Sequence, residues 1–145
     1  MPSAFPPWLF WALGSAGFAA LTAIFAKIGV QSINSDFATL LRTVVILLVL
    51  AGMVAWRGGA QPLQTIAPRT GLALLLSGLA TGASWLCYFR ALQIGDAARV
   101  APVDKLSVVL VAVFGVVVLH ERLSATNWAG VVLIACGAIC VAYRG

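Results

Sequence analysis

The sequence predicts an all-α protein, a polytopic membrane bundle of five transmembrane helices. Two observations carry this. Of 145 residues, 62% are hydrophobic and 9% charged, whereas a soluble domain holds about 25% charged residues and about 45–50% apolar ones. The apolar residues also fall into five runs, each long enough to cross a bilayer at about 1.5 Å per residue. A lone strand in lipid would leave its backbone polar groups unsatisfied, and the runs do not alternate as barrel strands do.

The spans are expected at 7–30, 37–56, 70–94, 97–119 and 125–143, in one domain covering 1–145. The first opens on Trp8 and Trp11 and ends near Lys27. It is not a signal peptide, because no Lys or Arg precedes Trp8 and the apolar run is too long. Gln31 to Asp36 form a polar break in which Ser35 or Asp36 is expected to cap the second span. Arg57-Gly58-Gly59 ends that span, and Pro62 and Pro68 punctuate the loop after it. Gly95-Asp96 separates the third span from the fourth. His120-Glu121-Arg122 separates the fourth from the fifth, which Ser124 is placed to cap. Trp8, Trp11, Trp56 and Trp128 all fall toward one membrane face if the spans alternate, as an interfacial belt requires.

Charge counts bear on orientation. Loops on the N-terminal face carry Arg57, Arg69 and Arg122, and the opposite face carries Arg99 and Arg144 in loop or tail positions. The remaining Lys27, Arg42, Arg90 and Lys105 fall inside the spans. Loop charge is then nearly even, which predicts insertion in both orientations; counted as loop residues instead, those four would make the opposite face cytoplasmic. The net charge of +5 comes without a basic run or a soluble module, so no nucleic-acid partner is expected.

Charge inside a membrane is costly and belongs beside a partner or a cavity. Asp104 and Lys105 follow Pro102 in the fourth span. The proline is expected to kink the helix and free a carbonyl near Ala98, as in the interrupted helices of transporter sites. An ion pair with a neighbouring helix is the plainer reading of the same residues. Arg42, Lys27 and Arg90 are expected at similar depth, either lining a polar space or snorkelling to the headgroups. In the first span Ala16, Ala20, Ala23 and Lys27 form a small-residue stripe that ends in a charge. In the third, Ser77, Thr81, Trp85 and Tyr88 share a face, beside a Gly78–Gly82 pair. That face either lines a cavity or packs against a neighbour. The candidate substrate-binding residues are therefore Lys27, Arg42, Trp85, Tyr88, Arg90, Asp104 and Lys105.

The fifth span has no charge and offers Gly130 and Gly137, a heptad apart, with Ala135, Ala138 and Ala142. It reads as an assembly helix. Cys87, Cys136 and Cys140 lie in apolar runs and read as packing residues. With one histidine and no ligand spacing, neither a metal site nor a cofactor is expected, and no catalytic motif points to an enzyme.

Several segments resemble the EamA-type domain of the drug/metabolite transporter superfamily. They are Ala23–Gly29 (AIFAKIG), Asp36–Thr43 (DFATLLRT), Tyr88–Val103 (YFRALQIGDAARVAPV) and His120–Ile139 (HERLSATNWAGVVLIACGAI). Lys27, Arg42, Glu121 and Arg122 match positions of that family's pattern. The resemblance implies alternating-access transport of a small metabolite or drug by a multi-pass protein of the cell inner membrane. Most members carry two such repeats in opposite orientation, and this chain has one. It is then half of an inverted-repeat transporter, completed by an antiparallel, dual-topology homodimer through Gly130 and Gly137. The small multidrug resistance proteins, which look like half-size relatives, carry a central glutamate in their first helix. The first span here has no acid, which argues against polyspecific cation export. Two other readings stay open: a non-transporting assembly subunit or heterodimer partner, and a lipid-linked sugar flippase.

Overall fold

A computed structural model describes residues 6–143. Arg144, counted above as a tail charge, lies outside them. The described residues fold into six α-helices: α1 (Pro7–Gly29), α2 (Ser35–Arg57), α3 (Pro68–Ile94), α4 (Ala97–Asp104), α5 (Ser107–Val117) and α6 (Ala125–Ala142). One 3-10 turn, Leu63–Thr65, lies between α2 and α3. Helices α4 and α5 together make the fourth span, so five segments are long and apolar enough to cross a membrane. The chain is a multi-pass membrane protein. Its apolar side chains point outward along the spans: Leu47, Leu48, Leu74, Leu75 and Leu133 are all exposed. In water such a surface would be intolerable; in lipid it is the expected one.

The chain divides into two compact units, 26–93 and the remainder. In the first unit the buried residues gather at one end. Ala26 near the end of α1, Val30 just past it, Ser35, Ala38 and Thr39 from the start of α2, and Phe89 and Leu92 from the end of α3 form its core. Leu92 and Val30 are fully buried here. Thr39 and Thr43 turn their hydroxyls back onto the carbonyls of Ser35 and Thr39, at 2.8 and 2.7 Å. That keeps polar side chains satisfied within a span.

Helix ends follow the local chemistry, with one correction. The cap of α2 is Asn34, not Ser35 or Asp36. Its side-chain oxygen accepts from the N–H groups of Asp36 at 2.8 Å and Phe37 at 3.3 Å. Three capping residues stand in a row here, and the extended backbone of Asn34 decides which one acts. Asn34→Ala should cost about 1 kcal/mol and Asn34→Ser almost nothing, read as thermal unfolding of the purified protein in detergent. At the other end Gly58 takes the left-handed conformation (φ 64°), as a C-terminal glycine does. Ser124 caps α6 as expected, accepting from the Asn127 N–H at 3.2 Å.

In the second unit α4 and α5 both pack on α6, and Ala138 is buried. The sequence predicts a kink at Pro102; the structure shows a full interruption two residues later. The amides of Lys105, Leu106, Val108 and Val109 each donate to the carbonyl three residues back, at 3.0–3.1 Å. The proline's missing N–H and ring act on the turn before it; the 3-10 stretch lies just beyond it, and α5 resumes at Ser107. The turn after α5 is closed by the Glu121 N–H on the Gly115 carbonyl, at 2.9 Å. His120 takes a positive φ of 57° there. A Cβ on Gly115 would fall 2.7 Å from Glu121 Oε2.

Candidate functional site

The unit 26–93 holds five of the seven expected site residues. Arg42 stands two turns into α2, inside a span. Its guanidinium lies over the Trp85 ring, 4.2 Å from the centroid, and 5.4 Å from that of Phe89. Trp85 and Phe89 are four residues apart on α3 and so share a face. An aromatic face attracts a cation more strongly where water is scarce. Tyr88 is half-buried on the same helix and lies within electrostatic reach of Arg42. Among the described residues no carboxylate pairs with Arg42. The result is a guanidinium fixed by aromatic rings rather than neutralised by an acid. Its N–H donors are not consumed by the stacking, so it can still meet an anion in its plane.

Lys27 has a different geometry from that of a snorkelling side chain. Its Nζ donates to the Leu92 carbonyl at 2.7 Å. Leu92 lies in the last turn of α3, where carbonyls lack partners within the helix. The bond therefore ties the end of α1 to the end of α3, and it also places a cation at a helix C-terminus, where the dipole favours it. Gln93 makes the reciprocal tie. Its Nε2 donates to the Val30 carbonyl at 3.4 Å and the Ile33 carbonyl at 3.1 Å, just past the end of α1. Its Oε1 accepts from Arg90 at 2.8 Å. Lys27→Met should lower stability by about 2 kcal/mol, the net worth of a hydrogen bond from a charged donor. A shift in the detergent melting temperature of that size checks it; an unchanged melt would mean the brace carries no weight.

Arg90 stands apart from the Arg42 cluster. It lies five residues beyond Trp85, which turns it about 140° around α3. It lines a shallow groove of about 410 Å³ with Asn34, Ser35, Asp36, Leu86 and Cys87.

Asp104 and Lys105 belong to the other unit, at the α4–α5 interruption. Lys105 Nζ lies 3.3 Å from Asp104 Oδ2. The two are sequence neighbours at the end of α4. Both side chains remain open, 36% exposed for Asp104 and 56% for Lys105. Arg99 lies 4.0 Å from Asp96 at the start of α4.

Sequence reasoning missed Phe89, Gln93 and Asn34. Phe89 carries no signal in an apolar helix. Gln93 could have been found as a polar residue within the last turn of a span. No group of three or more metal-ligating side chains occurs among the described residues. Cys87, Cys136 and Cys140 are free and exposed, so they do not fill the interior as packing residues within this chain.

Comparison with known proteins bears on this arrangement. The EamA-like transporter family matches residues 6–143. A protein from Sinorhizobium sp, described as an uncharacterized transporter in the cobO 3' region, is 66% identical over 135 residues. The match covers 93% of this chain and 96% of that protein. No solved structure matches.

Proposed function

This chain belongs to the EamA-like transporter family, and from that premise we propose that it is a secondary transporter of a small anionic or zwitterionic solute. It works by alternating access, in the cell inner membrane, as an antiparallel dimer of identical chains. The observation that carries the substrate reading is Arg42, a guanidinium held inside a span against Trp85 and Phe89. A charge at that depth costs several kcal/mol if it serves nothing. The rings fix its direction, and Lys27 adds positive potential at the end of the same unit. Tyr88 supplies a polar edge beside apolar surface. The Asp104–Lys105 pair sits where the fourth span is interrupted, the kind of break at which transporters place polar groups.

The dimer reading rests on the single five-span repeat and the near-even loop charge. An inverted repeat needs a second copy of opposite topology.

Purified protein in liposomes tests the proposal. Solute-evoked currents or counterflow would be measured for a panel of small carboxylates, phosphates and amino acids, with quaternary ammonium compounds as the contrast. Saturable transport of an anionic or zwitterionic solute is expected. Transport confined to the cations would overturn the substrate reading.

A further inference from the structure

The groove beside Arg90 has features that transport by the Arg42 cluster does not use. It lies wholly within the unit 26–93, between the start of α2 and the last turns of α3. Two opposite charges line it. Asp36 is in the first turn of α2 and Arg90 is four residues before the end of α3.

Each charge is positioned by neighbours. Arg90 donates to Gln93 Oε1 at 2.8 Å. Gln93 is itself anchored on the carbonyls of Val30 and Ile33. Asp36 has its backbone N–H held by Asn34 at 2.8 Å, and its carboxylate lies 3.4 Å from the Ser35 hydroxyl. Yet among the described residues no ion pair joins Asp36 to Arg90. Two opposite charges that share a groove without closing on each other leave space between them. The groove is shallow and open, with about 410 Å³ to receive a small group at its surface.

We propose that this groove binds a zwitterion, its anionic group on Arg90 and its ammonium on Asp36. Guanidinium matches a phosphate or carboxylate through parallel hydrogen bonds. An ammonium group takes up a carboxylate's acceptors. Both residues lie within about two turns of a span's end, the depth of lipid headgroups. A phosphoethanolamine headgroup and a free zwitterionic solute present the same chemistry there. The inference needs the groove and its depth; it holds whether or not Arg42 carries substrate.

Cys87 lines the groove and is exposed, so it reports occupancy. The protein would carry Cys136→Ala and Cys140→Ala, leaving one thiol, and be reconstituted in phosphatidylglycerol vesicles. The rate of maleimide labelling would be followed with glycerophosphoethanolamine, inorganic phosphate or ammonium chloride at equal ionic strength. Glycerophosphoethanolamine should slow labelling threefold or more, and the two simple salts should not. Vesicles containing phosphatidylethanolamine separate the sources. Slow labelling there without added solute assigns the site to the lipid headgroup, and slowing only by the soluble compound assigns it to a solute. Asp36→Asn and Arg90→Gln should each abolish the protection. Labelling that no zwitterion slows, that phosphate slows equally, or that stays protected in both variants would overturn the proposal.

Discussion

Arg42→Ala is expected to reduce transport at least about 25-fold at subsaturating solute. An anion in a low-dielectric site bound by a guanidinium gains a charge-assisted hydrogen bond. Removing one partner of such a pair costs about 2–5 kcal/mol, and about 1.4 kcal/mol is tenfold. Arg42→Lys keeps the charge but loses the planar fork and the stacking on Trp85, so it should be intermediate. Trp85→Phe keeps a ring beneath the guanidinium and should be milder than Trp85→Ala. The folded protein should survive all four. Removing an intramembrane charge relieves its desolvation, so insertion and elution profile should not worsen. The measurement is initial uptake into liposomes, normalised to reconstituted protein. Full activity in Arg42→Ala would remove this residue from the solute path.

The spans were legible because hydropathy leaves little choice. Every span has a window averaging 1.6 or more, and only a helix satisfies its own backbone in lipid. The fourth span was half legible. Pro102 announces a disturbance, but whether a helix bends or stops depends on the 3-10 bonds that follow, and those depend on local backbone geometry. Arg42 was legible as a charge out of place. That Phe89 also faces it was not, since an aromatic residue in an apolar run is ordinary. Lys27 shows the limit most clearly. Its type and depth fit a ligand, a snorkelling chain or a brace equally. Only the position of the Leu92 carbonyl reveals the brace. Similarly, Arg90 and Arg42 have similar depth in the sequence, and helix rotation alone sets them on different faces of the same unit.

Crosslinking through α6 should identify an antiparallel dimer. Gly130 lies five residues after Ala125 and Gly137 five before Ala142, so the two glycines are symmetric about the middle of α6. A two-fold axis in the membrane plane would then set Gly130 against the partner's Gly137, and Thr126 against the partner's Val141. Both glycines have open space where a Cβ would stand, so each can admit a close neighbour. In a chain without native cysteines, Thr126→Cys together with Val141→Cys should form an oxidised dimer. Neither substitution alone should, because like positions in an antiparallel pair lie about 22 Å apart along the helix. A disulfide needs Cα atoms within about 7 Å. A parallel dimer reverses the pattern, since each single variant then crosslinks to its own copy. Gly137→Leu should weaken the dimer at least tenfold, about 1.4 kcal/mol, by holding the helices apart. A Cβ at Gly137 meets nothing within 4 Å in the monomer, so its helicity is expected to be unchanged. Crosslinking of the single variants alone, or a dimer indifferent to Gly137→Leu, would refute the arrangement. Loss of the dimer in Gly137→Leu should also remove transport with Arg42 intact, because one five-span repeat cannot open to both sides by itself.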